Sequence, residues 1–167
     1  MASIGESRPD APPPLTEQQE FWNSWNSTWR FRDGLDTFME AQARVAAGVA
    51  ARLPKGARVL DVGCGTGWLA SSVLPFVAEA WGTDLSPGAI EDGQKRHPGV
   101  KLLAGDFLQL ELQPPFDLIM SADSIAHMYD QEACVARIAD LLKPGGTFLL
   151  MTQNRYVWRR RSKLVPL

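Results

Sequence analysis

The chain has 167 residues, 45% of them hydrophobic and 22% charged, with a formal net charge of -2. That length holds one domain with a sizeable core and little beyond it. The near-balanced charge gives no general reason to expect nucleic acid or an anionic membrane as partner.

Residues 1–15 carry Pro9, Pro12, Pro13 and Pro14 among small and charged residues. They cannot bury enough apolar surface to offset their ordering entropy, so a disordered leader is expected. Thr16, followed by acid from Glu17 to Glu20, reads as a helix N-cap. Residues 16–53 then read as a helical cap in two pieces, broken near Asp33-Gly34. The first piece places Trp22, Trp25 and Trp29 at i, i+3 and i+7, on one helix face. The second runs from about Leu35 to Leu53 and stops at Leu53-Pro54-Lys55-Gly56.

Beyond Gly56 the period changes. Arg58 to Val62 reads as a buried strand, followed by glycines and a helix around Leu69 to Val77. Ala80 to Asp84 is a second strand, Pro87 to Arg96 a helix, and Val100 to Ala104 a third strand. Phe116 to Met120 is a fourth strand, Gln131 to Leu142 a helix, and Thr147 to Thr152 a fifth strand. Strands alternating with helices at this spacing imply right-handed βαβ units. The expected unit over residues 54–152 is therefore a three-layer α/β/α sandwich on a mostly parallel sheet of about five strands.

No run of about 18 apolar residues is present, and the N-terminus lacks the basic and apolar regions of a secretory signal. Cys64 and Cys134 stand outside any Cys-x-x-Cys or His-rich setting. Neither a metal site nor a disulfide framework is expected, and free thiols suit a reducing cytoplasm.

The candidate chemistry lies where strands end. Asp61-Val62-Gly63-Cys64-Gly65-Thr66-Gly67 joins the first strand to its helix, and glycines there permit backbone angles and close approach that a Cβ would block. Asp61 lies where a carboxylate can take a ligand's ammonium or order a water beside it. Asp84 ends the second strand, 21 residues after Gly63, where an acid can accept both hydroxyls of a ribose. Its plainer role is to cap the helix that begins at Pro87. Asp106 and Phe107 follow the third strand, either at a ligand or as a turn acid and a core aromatic. His127, after the fourth strand, has a pKa suited to proton removal, or else packs at a helix start.

Val59 to Gly67, Asp84-Leu85, Ala104-Gly105-Asp106-Phe107 and Leu141 to Thr147 together resemble the class I S-adenosylmethionine-dependent methyltransferases, a family with a Rossmann-like fold. The likeness covers roughly Arg58 to Met151. It implies that Gly63, Cys64, Gly65 and Gly67 wrap the cofactor's methionine portion with Asp61 near its amino group. It further implies that Asp84 holds the ribose, Leu85 packs on adenine, and Asp106 and Phe107 meet the adenine edge. Ser121 is expected at the cofactor, the run from it to Met128 lies where the acceptor meets the methyl group, and the product would be S-adenosylhomocysteine. DNA-base enzymes usually carry an Asn/Asp-Pro-Pro-aromatic run at that place and this chain does not, so a small organic acceptor is expected. Trp22, Trp25 and Trp29 would wall its pocket, or else pack the helix on the sheet.

Two features stand apart from that pattern. The family fold adds a sixth and a seventh strand, and residues 153–167 form a short tail with Arg155, Arg159, Arg160, Arg161 and Lys163. An exposed fifth strand is therefore expected, with association of copies through it. A nicotinamide-dependent oxidoreductase would carry Gly-x-Gly-x-x-Gly, which the Gly63, Gly65, Gly67 spacing does not match. A methyltransferase-like domain without catalysis is the remaining alternative.

Overall fold

Two strands made almost wholly of buried side chains set the centre of the structure. They are Arg58–Val62 (β1) and Phe116–Ala122 (β4), whose Val59, Leu60, Val62, Leu118, Ile119 and Met120 have no exposure at all. Continuous apolar runs of this kind belong to parallel strands covered on both faces. The computed structural model describes residues 14–28 and 37–152. Glu79–Asp84 (β2), Lys101–Ala104 (β3) and Leu142–Met151 (β5) complete one sheet in the order β3-β2-β1-β4-β5. Every pairing is parallel.

Side chains alternate between the two faces, and helices cover both. On one side Val59, Leu118 and Met120 meet Ala46 and Ala50 of Thr37–Ala50 (α2). Leu69, Ala70 and Val73 of Trp68–Val73 (α3) and Ile90 of Pro87–Arg96 (α4) join the same cluster. On the other side Leu60, Val62 and Ile119 meet Cys134, Ile138 and Leu141 of Gln131–Leu141 (α5), together with Phe107. Leu15–Thr28 (α1) packs against α4. This is the three-layer, Rossmann-like α/β arrangement expected from the alternation of strands and helices.

The chain steps outward from β1 to β2 to β3, then returns to the far side of β1 for β4 and β5. Strand order therefore reverses between β1 and β4. The C-terminal ends of those two strands diverge into opposite connections, and that is the usual position of the ligand crevice in an open α/β sheet.

Several boundaries differ from expectation for local physical reasons. Helix α1 begins at Leu15, with the Gln18 N–H donating to Pro14 O, so Thr16 lies inside the helix and is not its cap. Helix α3 stops at Val73, and Pro75 sits in a following 3-10 turn over Leu74–Phe76. Strand β5 starts at Leu142 and not Thr147. Leu142 pairs with Phe116 and Thr147 with Leu118, so residues 143–146 bulge from the ladder. Lys143 Nζ reaches Asp117 Oδ1 at 2.7 Å and pins that bulge. The expected leader over residues 1–13, the break near Asp33-Gly34, Trp29 and the tail over 153–167 lie outside the described residues. Among the described residues β5 is a sheet edge, and its Leu150 is 48% exposed.

Packing is close where α4 crosses the turn after β1. A Cβ on Gly93 would stand 2.3 Å from the Thr66 carbonyl oxygen, which is backbone and cannot swing aside. Gly48 on α2 has open space around the same position. Gly93→Ala should therefore destabilise the chain by about 1–3 kcal/mol in urea denaturation. Gly48→Ala should raise stability by up to about 1 kcal/mol, from helix propensity alone. Equal effects of the two would contradict this packing.

Candidate functional site

At the C-terminal end of β1 the chain turns through Gly63, Gly65 and Gly67, with φ of 74°, 55° and 77°. The Gly63 and Cys64 N–H groups both donate to Thr83 O, at 2.8 and 2.9 Å, which fastens the turn to β2. Only the middle glycine is open: a Cβ on Gly65 would meet nothing within 4 Å. The turn thus offers bare backbone to a ligand. At Gly63 the corresponding space is taken by Ser124, 2.2 Å from where a Cβ would be.

Two carboxylates flank this turn. Asp61 is 1% exposed, and its Oδ2 has no hydrogen-bond partner among the described residues. Burial first, and then the charge of Asp84, push its carboxyl up to about 7. Asp84 is better satisfied: Oδ2 accepts from the Gly65 N–H at 2.8 Å and Oδ1 from the Ser86 N–H at 2.9 Å. Burial raises its carboxyl as well, against those two bonds. The helix-capping alternative for Asp84 falls to its neighbour, because Ser86 Oγ accepts from the Ala89 N–H and caps α4.

The other expected residues divide by position. Leu85 is half-buried beside Asp84. Asp106 Oδ1 accepts from the Leu108 N–H at 3.0 Å. The Phe107 ring is 5% exposed within the core, with the Arg137 guanidinium 5.5 Å from its centre, so only its backbone is left to face a ligand. Cys64 turns its sulfur toward Gly82, and burial, then Asp61 and Asp84, push its thiol well above the usual range. A thiol so placed is inert as a nucleophile. Ser121 is fully buried, its Oγ 2.5 Å from Ser124 Oγ, which in turn donates to Val62 O at 2.6 Å.

Helix α1 carries its aromatic residues beside this edge. Trp22 is half-buried, its ring 5.4 Å from that of His127, while His127 itself is exposed. Trp25 is 45% exposed and stacks on Phe21 at 6.2 Å. The Trp22 and Trp25 rings meet edge to face at 6.5 Å. The contacts that seat the helices come from amides. Asn23 Oδ1 accepts from Ser86 Oγ at 2.6 Å and from the Gly88 N–H at 3.1 Å. Gln42 Nε2 donates to Asp123 Oδ2 at 2.9 Å. Neither amide belongs to a local motif, and the only sequence signal at Asp123 is its place just after β4.

Among the described residues no group of three or more His, Cys, Asp or Glu is placed to hold a metal ion. None of their helices is long and apolar enough to cross a membrane.

A model of the methyltransferase domain family matches residues 32–166. The ubiquinone biosynthesis O-methyltransferase of Xanthomonas axonopodis pv. citri is 37% identical over 114 residues, covering 64% of this chain and 48% of that protein. The trans-aconitate 2-methyltransferase of Methylobacterium nodulans is 34% identical over 113 residues, covering 65% and 44%. The chain thus spans about half the length of the curated relatives it matches. Among solved structures, the S-adenosylmethionine-bound amino pentose methyltransferase of Micromonospora echinaspora superposes with a TM-score of 0.64 at 29% identity, covering 78% of this chain and 56% of that one.

Asp61 also makes stability depend on pH. Its carboxyl near 7 in the folded chain lies above the ordinary 3.8, so ionisation opposes folding. The penalty is absent below about pH 4, grows between pH 4 and 7, and is complete above pH 7, reaching roughly 4 kcal/mol. Asp61→Asn should raise the urea midpoint of the ligand-free protein at pH 8 and lose most of that advantage by pH 4.5. A gain independent of pH would rule out a buried, ionising Asp61.

Proposed function

This chain belongs to the methyltransferase domain family, and on that premise we propose that it binds S-adenosylmethionine and transfers its methyl group to an O, N or C atom of a small organic acceptor. The observation that carries this reading is the unpartnered, buried Asp61 oxygen beside the open backbone of Gly65. A ligand with an ammonium on a slender chain satisfies both at once. Asp61 takes the ammonium, and the turn from Gly63 through Cys64 and Gly65 to Gly67 lies along the methionine portion. Asp84 keeps lone pairs beyond its two backbone bonds and accepts from the ribose hydroxyls. Leu85 covers one face of the adenine, while Asp106 and the Phe107 backbone meet its edge. Ser121 braces the floor below the reacting groups.

Bound S-adenosylmethionine supplies a methyl group already activated by its sulfonium and is left as S-adenosylhomocysteine. The chain's own contribution is to fix the acceptor in line and to exclude water, which is worth roughly 7–11 kcal/mol when alignment is good. Trp22 and His127 flank the approach, and His127 is the group placed to take a proton from an O–H or N–H acceptor. In this reading residues 16–53 form a cap over the cofactor-binding unit of residues 54–152. The protein acts in the cytoplasm and associates through the β5 edge.

Calorimetric titration with S-adenosylmethionine, S-adenosylhomocysteine and NADH tests the proposal. Both adenosyl ligands should bind and NADH should not. At about 100 times the dissociation constant, either should stabilise the fold by roughly 2.7 kcal/mol. Asp84→Ala should weaken both adenosyl ligands at least tenfold while the far-UV spectrum stays unchanged. Unaltered affinity would remove the ribose assignment, and cofactor binding without turnover of any acceptor would favour a non-catalytic binding domain.

A further inference from the structure

A cavity lies on the α5 face of the sheet, between that helix and the segment that follows Phe107. Its volume is about 500 Å³, and Gln109, Leu110, Glu111, Leu112, Gln113 and Arg137 line it. That size is ordinary for a small-molecule site. Gln109, Glu111 and Gln113 are exposed, so the cavity opens to solvent, while Leu110 and Leu112 are half-buried and give it an apolar wall. None of the residues assigned above to the cofactor lines it.

Arg137 brings a cation to this cavity without a counter-charge. Its guanidinium lies 5.5 Å from the centre of the Phe107 ring. One terminal nitrogen donates to Leu108 O at 3.0 Å and the other to Leu110 O. Nε is buried with no partner among the described residues. Nor does any carboxylate among them pair with this guanidinium. Clamping two carbonyls does not require the charge, because a glutamine amide has two N–H donors as well. A half-buried positive charge costs free energy unless an anion meets it. After its carbonyl bond, each terminal nitrogen of Arg137 still has a hydrogen to give.

We propose that this cavity is a second ligand site, one that takes a small organic monocarboxylate on Arg137. The carboxylate accepts from the remaining terminal N–H groups, a charge-assisted pairing that suits a planar guanidinium. Leu110 and Leu112 cover the apolar body of the ligand. Glu111 at the rim sets the charge that the site admits. A dianion such as phosphate meets it with twice the repulsion of a monoanion. The site depends on these side chains alone and stands whether or not the chain transfers a methyl group.

Benzoate, benzamide and inorganic phosphate are the probes, titrated into the isotope-labelled full chain by NMR at constant ionic strength. The readouts are the Arg137 Nε–H resonance, assigned by its loss in Arg137→Gln, and the Leu110 and Leu112 amides. Benzoate should shift them saturably at millimolar concentration, bind at least tenfold more tightly than benzamide, and outbind phosphate. Arg137→Gln should weaken benzoate at least tenfold. Glu111→Gln, a change at an exposed position, should raise phosphate affinity severalfold and benzoate affinity less. If Arg137→Gln does not fold, the Glu111→Gln result and the order of the probes on the unaltered chain still decide. Saturating S-adenosylhomocysteine should leave benzoate affinity within twofold. Absence of a saturable shift, equal shifts at every arginine, or benzamide binding as tightly as benzoate overturns the proposal. Tighter binding of phosphate overturns the monocarboxylate class. Displacement of benzoate by S-adenosylhomocysteine overturns the second site, by placing the ring where adenine binds. A shift of the Arg137 resonance in Glu111→Gln with no response to benzoate overturns it too, by making Glu111 the internal partner of Arg137.

Discussion

Two carboxylates buried on adjacent strands govern this structure, because neither is stable there without the arrangement around it. Register sets Asp61 against Gly82 and carries Asp84 two residues beyond, at the mouth of the turn. Their like charges repel, and burial opposes ionisation of both. The fold answers the two differently. Asp84 receives two backbone N–H groups, and those bonds tie the glycine turn to the end of β2. Asp61 keeps a bare oxygen, and burial raises its carboxyl to about 7. One carboxylate is thus spent on shape, and the other is left able to reward a cation. The three left-handed glycines follow from the same demand, since the Gly65 N–H meets Asp84 only if the backbone doubles back sharply.

The helices over the sheet edge are coupled to this pair through amides rather than through their aromatic rings. Asn23 joins α1 to Ser86 and Gly88, in the segment that follows Asp84. Gln42 joins α2 to Asp123, in the segment that follows β4. Each bond lands on a strand end bordering the crevice, one on the β2 side and one on the β4 side. A shift of either helix therefore moves a group at one of these strand ends, and for α2 it also disturbs the core through Ala46 and Ala50. Amides suit this role, because a directional bond fixes an angle where an apolar contact slides.

The alternation of strands and helices was legible because β1 and β4 are continuous apolar runs, which only a doubly covered strand can bury. Asp61 and Asp84 were legible because their spacing from the glycines is local. Periodicity was less informative at Trp22, Trp25 and Trp29. It says which residues share a helix face but not how deeply each is buried, and Trp25 is 45% exposed where Trp22 is half-buried. The start of β5 was missed because its first pairing, Leu142 with Phe116, sits across a bulge that no run of residues announces. Asn23 and Gln42 left no trace for a related reason. Their partners lie 63 and 81 residues away, and nothing near either residue marks it as different from any other polar position on a helix.

The distribution of unsatisfied groups carries the last step. Among the described residues four buried polar side-chain atoms lack partners: Asp61 Oδ2, Thr83 Oγ1, Asp123 Oδ1 and Arg137 Nε. Arg137 stands apart, its guanidinium donating to Leu108 O and Leu110 O on the α5 face of the sheet. The other three lie at or just beyond the C-terminal ends of β1, β2 and β4, around the point where strand order reverses. Random packing faults would scatter through the core, whereas here the core is apolar and closed on both faces. A fold that satisfies its polar groups elsewhere and gathers its deficits on three neighbouring strand ends has stored binding free energy there. Donors brought to these strand ends by whatever binds there relieve that deficit, and the core beneath need not move to receive them.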